Sequence, residues 1–227
     1  MLGMGRQLDT ADASLKQRPV REQATAGSWS AATDGSAIAE PHIQLRLRGI
    51  SVVMKPPYWE VDAKGAMSSC GRHLSQYMMR KHGPSACVLG LADFEHGLVH
   101  RLDLPSSGLI LAGTSFEGYC LLQWQMHTYT ILREYVVLVA GLVPSDLCAI
   151  SMPIDDFFPG RSCVSDTGRP ASSHVRALLH CARRQRFWTG ERLCLISIAI
   201  HTGRRHQIRV HAQWVGHPTV NDEKYSQ

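Results

Sequence analysis

His100-Arg101-Leu102-Asp103-Leu104-Pro105-Ser106-Ser107-Gly108 lies near the middle of a chain of 227 residues. Apolar residues 98–102 lead into a carboxylate and a turn-forming run, and apolar residues 109–112 lead away from it. The pattern reads as a strand that ends at Asp103, a tight turn and a returning strand. A strand end is rigid and a turn gives access, so a reacting carboxylate can be held there. Arg101 and Asp103 are two apart and share one face of an extended chain. Taken alone, the segment is more readily a local device, in which Asp103 caps the turn through its own backbone.

Outward from this stretch the pattern is mostly strand. Ile43, Leu45 and Leu47 alternate with Gln44, Arg46 and Arg48, and residues 50–54 form an apolar run stopped by Lys55-Pro56-Pro57. Residues 135–139 are β-branched and apolar and predict a buried strand. Residues 175–180 and 193–200 predict two more. Helices are expected over 68–82, capped at Ser68 or Ser69, over 115–129 and over 205–215. Many strands with few helices predict an α+β fold with a mixed, largely antiparallel central sheet and flanking helices.

Residues 1–40 are rich in Ala, Ser, Gly, Thr and Gln, with Trp29 as their one aromatic residue. They are expected to form a disordered leader, with order beginning near His42 and one domain over 41–227. No apolar core of a secretory signal is present, and Asp9 and Asp12 argue against an organelle transit peptide. The expected setting is intracellular, cytoplasmic or organellar.

The apolar fraction is 44% and mean hydropathy −0.13, values of a folded chain. No run of eighteen apolar residues predicts a membrane helix. Seven cysteines, an odd number without a C-x-x-C pair, support neither a disulfide scaffold nor a zinc ribbon. Reduced, partly buried thiols are expected. Net charge is +5 but unevenly spread: residues 176–211 carry eight arginines against Glu191 alone. Guanidinium forks suit phosphate, so this strip is read as a polyanion contact.

Within that strip, Thr202-Gly203-Arg204-Arg205-His206-Gln207-Ile208-Arg209-Val210-His211 follows a strand, turns at Gly203 and enters a helix. Cations and backbone N–H groups at a helix start favour an anion. A metal site on His201, His206 and His211 fails on spacing, because a five-residue step rotates about 140° around a helix.

Five segments together resemble the RluA-type pseudouridine synthases. HRLDLPSSG is similar to that family's His-Arg-Leu-Asp signature. Residues 202–211 with Gly216-His217-Pro218 and Asp222-Glu223-Lys224-Tyr225 are similar to its second signature. Residues 53–57, Arg133-Glu134-Tyr135 and residues 168–173 resemble three shorter elements, in the family's order. Ser106 stands for the usual Thr, Arg133 for Lys, and Asn221 for a common Gly. The resemblance also implies a further strand after Gln227, so the domain reads as truncated at its C-terminal end.

What the resemblance implies is isomerisation of uridine to pseudouridine in RNA, without a cofactor and without a metal. Asp103 would act as nucleophile or base at the sugar. Tyr135 would stack on the base and relay the C5 proton, and Arg209 would pair with Asp103, with Arg204 as second choice. Ile200 would wall the uracil, and Arg101 would fill the space left by a flipped uridine. Arg204, His206 and Gln207 complete the implied substrate contacts. The implied partner is structured RNA, ribosomal or transfer, met by a monomer. Two alternatives are a non-catalytic RNA-binding protein on the same fold and a hydrolase or metal enzyme on His100, Asp103 and His206.

Overall fold

The computed structural model describes residues 39–61, 71–157, 160–182 and 192–225. All fall in the unit spanning residues 38–227. The expected leader, apart from residues 39 and 40, lies outside the described residues.

Among the described residues nine strands, three α-helices and two 3₁₀ turns follow one another. Strands β1 (His42–Leu47), β2 (Ile50–Lys55) and β3 (Gly108–Gly113) form an antiparallel sheet in that order. A second antiparallel sheet has the order β4-β9-β8-β5. Its members are β4 (Arg133–Ala140), β5 (Ala149–Ile150), β8 (Ser173–Ala182) and β9 (Arg192–Ile200). A small hairpin joins β6 (Ile154–Asp155) to β7 (Cys163–Val164). The α+β, antiparallel class agrees with the sequence reading, but the strands make three sheets among the described residues rather than one central sheet.

The first sheet packs against α1 (Leu74–His82) and α2 (Phe116–His127). Its core includes Val53, Leu74, Met78 and Ile110, all inaccessible to solvent. Such burial stabilises by roughly 1.5–3 kcal/mol per large side chain. α2 begins where Ser115 Oγ accepts from Gly118 N at 3.1 Å, a local cap. The hairpin between β1 and β2 turns at Gly49 with φ 73°, and Gly118 lies against that turn. A Cβ on Gly118 would overlap the Gly49 carbonyl, so both positions need glycine. The second sheet is covered by α3 (Gln207–Trp214), which contributes Ala212 and Ile208 to a core with Val139, Ile196 and Ile198.

Several boundaries depart from expectation. The first helix starts at Leu74 with His73 as its N-cap; the expected caps Ser68 and Ser69 lie outside the described residues. Residues 98–102 are not a strand; Leu98 alone bridges to Ala112. Asp103 therefore sits on a loop. β4 is not buried throughout: Val136 is 65% and Leu138 38% exposed, so its apolar outer residues face solvent. Continuous apolar runs mark strands covered on both faces only when a second layer exists. Of six described cysteines, five are exposed and Cys194 alone is buried, against the expected partial burial.

Candidate active site

The Asp103 loop lacks strand hydrogen bonds yet is tied on both sides. Before it, His100 Nε2 accepts the Leu111 amide of β3 at 3.0 Å. After it, the Leu104 carbonyl accepts from Tyr58 N at 2.7 Å and from Lys55 Nζ at 3.3 Å. Lys55, at the end of β2, is fully buried and also donates to the carbonyls of Pro56 and Trp59, at 3.1 and 2.9 Å. A buried ammonium needs such acceptors to offset lost hydration. The turn itself closes through Ser106 N to the Asp103 carbonyl at 3.0 Å. The Asp103 backbone thus makes the turn, and its carboxylate points elsewhere.

That carboxylate meets Arg209, the third residue of α3, with Nη1 to Oδ2 at 2.9 Å. The two are 106 residues apart in sequence. Arg209 also forks onto Asp222, with Nε to Oδ2 at 2.7 Å and Nη2 to Oδ1 at 2.6 Å. Thr219 Oγ1 and Lys224 N donate to Asp222 as well, at 2.8 and 3.1 Å. Burial works to raise the Asp222 pKa, but these donors outweigh it and hold the carboxyl at about 2. The Asp222 hydrogen bond, with that of Asp103, raises Arg209 against the effect of burial. The Arg209 guanidinium stands 4.8 Å from the centroid of the Tyr225 ring, which is fully buried.

Tyr135, on β4, is half-buried and packs against both cores. Burial raises its phenol pKa, Arg133 lowers it and Asp103 raises it further, so the ring lies within the field of both charges. Arg133 Nη2 donates to the His201 carbonyl at 2.6 Å, while its Nε has no partner among the described residues. A Cβ at Gly203 would lie 2.6 Å from Arg133 Nη1, so glycine is what lets the guanidinium in. Ile200, opposite Arg133 in the register, is 9% exposed. Arg101 is exposed, with no partner among the described residues.

The loop from β9 into α3 explains the remaining positions. His206 adopts φ 57° and its Nδ1 lies 2.9 Å from the Tyr225 hydroxyl. Burial lowers its pKa and Asp103 raises it. Gln207 does not face outward. Its Oε1 accepts from Thr202 Oγ1 at 2.8 Å and from Arg204 N at 3.0 Å. Its Nε2 donates to the Ser172 carbonyl and to Ser173 Oγ, at 3.0 and 3.1 Å. Both ends of the amide are used by the fold, which makes Gln207 a clamp on the loop. Arg204, the second choice as Asp103 partner, points to the Pro170 carbonyl at 3.0 Å instead.

The described arginines of the strip do not share one face either. Arg205 is turned inward onto Ser162 Oγ and the carbonyls of Asp156 and Arg161. Arg209 serves the carboxylates. Arg176 is exposed, 3.9 Å from Glu134. Arg183, Arg184 and Arg186 lie outside the described residues. His211 is buried between Ser173 Oγ and the Met152 carbonyl, both at 2.9 Å. No cluster of three His, Cys, Asp or Glu residues fit for a metal occurs among the described residues. No helix among them is long and apolar enough to cross a membrane.

Of the residues singled out in the sequence, the fold sets Arg209 against Asp103, with Tyr135 and His206 within the field of the Asp103 charge. Sequence reasoning missed what Lys55, His100, Asp222 and Tyr225 do there. The short distance in sequence from Arg209 to Asp222, thirteen residues, was the one local signal.

The chain is 34% identical over 129 residues to the uncharacterized RNA pseudouridine synthase YhcT of Bacillus subtilis, covering 56% of this chain and 40% of that protein. It is 34% identical over 131 residues to the ribosomal large subunit pseudouridine synthase D of Nitrosomonas europaea, covering 57% and 35%. It thus spans less than half the length of these curated relatives. The human RNA pseudouridylate synthase domain containing 1 shares the fold, with TM-score 0.63, 21% identity, and coverage of 86% of this chain and 73% of that one. The model of the RNA pseudouridylate synthase family matches residues 50–214, and the chain belongs to that family, to its RluA type.

Proposed function

We propose that the protein isomerises uridine to pseudouridine in RNA. The observation that carries this is Asp103, a partly exposed carboxylate on a doubly tied loop, aligned by Arg209 at 2.9 Å. The reaction breaks the C1′–N1 bond, turns the uracil, joins C1′ to C5 and moves the C5 proton. It is redox-neutral, so the residues themselves supply the chemistry. Asp103 acts at the sugar as nucleophile or base. Its Oδ1 accepts no hydrogen bond among the described residues, which leaves a lone pair for that task. Tyr135 stacks on the uracil and relays the C5 proton. Ile200 walls the base, and His206 meets the substrate from the α3 side. Arg101, exposed, enters the stack that the flipped uridine vacates.

The substrate is structured RNA, with ribosomal RNA favoured because several relatives carry ribosomal large subunit names. The protein acts as a monomer inside the cell, in the cytoplasm or an organelle. Asp103→Asn tests the assignment. It keeps the volume and a hydrogen bond to Arg209 while removing the charge. Carbodiimide-dependent primer-extension stops on ribosomal RNA should vanish, a loss of about 1,000-fold or more, while RNA binding survives. A variant with full activity overturns the role of Asp103.

A further inference from the structure

Asp103 and Asp222 share one guanidinium, but on unequal terms. Asp222 is 8% exposed and takes four donors: Arg209 Nε and Nη2, Thr219 Oγ1 and Lys224 N. Among the described residues Asp103 takes one donor on its carboxylate, Arg209 Nη1. A fork held through Nε and Nη2 leaves Nη1 on its far edge, and the plane of the fork then dictates where Nη1 points. The Tyr225 ring lies against the guanidinium and limits its movement. Tyr225 is itself held, by Ser162 N at 2.8 Å and His206 Nδ1 at 2.9 Å, both on its hydroxyl.

We infer that Asp222 is a positioning residue of the active site, which mounts Arg209 on Tyr225 so that a single N–H is delivered to Asp103. The inference rests on the isomerase reading for its kinetic consequence, and on geometry alone for the mount. Two carboxylates against one cation leave one negative charge uncompensated within the trio. The donor count assigns it to Asp103, the carboxylate that must react. Asp222 so aligns the catalytic group through Arg209 while tempering the positive charge that Asp103 feels. Without the fork, Arg209 becomes a long side chain with free torsions, and a misplacement of about 1 Å in such an arrangement costs about 100-fold in rate.

The test uses the full chain and Asp222→Asn, Asp222→Glu and Thr219→Val. The substrate is ribosomal RNA transcribed in vitro, with wild type and Asp103→Asn alongside. Asp222→Asn is expected to lower kcat about 100-fold with KM for RNA within about twofold, and Asp222→Glu to recover about tenfold of it. Thr219→Val removes one of four donors and should lower kcat by a few fold, and it serves if Asp222→Asn does not fold. Independently of activity, the Arg209 Nε–H resonance in 15N-arginine-labelled protein should exchange slowly with solvent in wild type and in Asp103→Asn. It should exchange rapidly in Asp222→Asn. Wild-type kcat in folded Asp222→Asn, or a fall explained by KM alone, overturns the inference. So does slow Nε–H exchange that survives the loss of Asp222. A wild-type chain that makes no pseudouridine but shows the expected exchange pattern sinks the isomerase reading and leaves the mount standing.

Discussion

His100 accepts the amide of Leu111 through Nε2 at 3.0 Å, and this one bond fixes the tautomer of a histidine three residues before Asp103. A backbone N–H can only donate, so Nε2 carries no proton and Nδ1 must. Nδ1 has no partner among the described residues. Protonation at Nε2 would break the tie between the Asp103 loop and β3.

That tie makes stability depend on pH in a defined window. Burial, helped by the charge of Arg133, lowers the His100 pKa from 6.5 to about 4. Between these values the unfolded chain binds more protons than the folded one. The stabilisation is full above about pH 6.5 and is lost as pH falls toward 4, with a total on the order of 3 kcal/mol. His82, His206 and His211 shift in the same direction. The urea midpoint should therefore fall steeply from pH 6.5 to 4.5, and less steeply in His100→Gln, whose amide oxygen accepts from Leu111 without titrating. Equal slopes in the two proteins refute the role given to His100. Asp222, held at about 2, adds its own loss only below pH 4.

Gly118→Ala sets two effects against each other. Alanine gains about 1 kcal/mol over glycine inside a helix. Its Cβ would overlap the Gly49 carbonyl, a backbone group that moves only if the β1–β2 hairpin shifts. Overlap of this kind costs typically 1–3 kcal/mol, and backbone on both sides puts it at the high end. A net loss of about 2 kcal/mol should appear as a lower urea midpoint at unchanged m-value. A variant as stable as wild type refutes the close approach.

Gln207→Leu distinguishes a clamp from a substrate contact. The substitution strands the Arg204 amide and removes the acceptor of the Thr202 hydroxyl, while Ser173 Oγ keeps His211, and each stranded part-buried group costs about 1–3 kcal/mol. Thermal stability should fall by several degrees, while KM for RNA in the folded fraction stays within about twofold. A raised KM at unchanged stability would return Gln207 to the substrate.

Tyr135→Phe and Tyr135→Leu separate ring from hydroxyl. If the phenol relays the C5 proton, Phe lowers kcat by about 100-fold at similar KM. Leu loses the stacking surface too and should raise KM as well. Full activity in Tyr135→Phe removes the proton relay and leaves stacking alone.

Local chemistry was enough for part of this protein. The Ser115 cap, the alternation of β1 and the β-branched run of β4 act within a few residues, so their elements are legible where they stand. Asp103 and Arg209 stand out for a similar reason: a carboxylate before a turn and arginines at a helix start are unusual company. Helix starts misled where the cap was weak, as at His73, which makes no side-chain cap hydrogen bond. Leu98 to Leu102 misled because apolar residues fit a tied loop as well as a strand.

Tertiary structure alone decided the partners. Arg204, Arg205 and Arg209 are three arginines in six residues, and composition cannot rank them. The left-handed turn at His206 and the Gln207 clamp rotate α3 so that Arg204 meets Pro170, Arg205 meets Ser162, and Arg209 meets Asp103. That choice depends on chain brought together across 106 residues. Local order makes these residues available for the chemistry. The fold decided which carboxylate takes four donors among the described residues and which takes one, because hydrogen bonds are settled by distance and direction, and neither is written in local order.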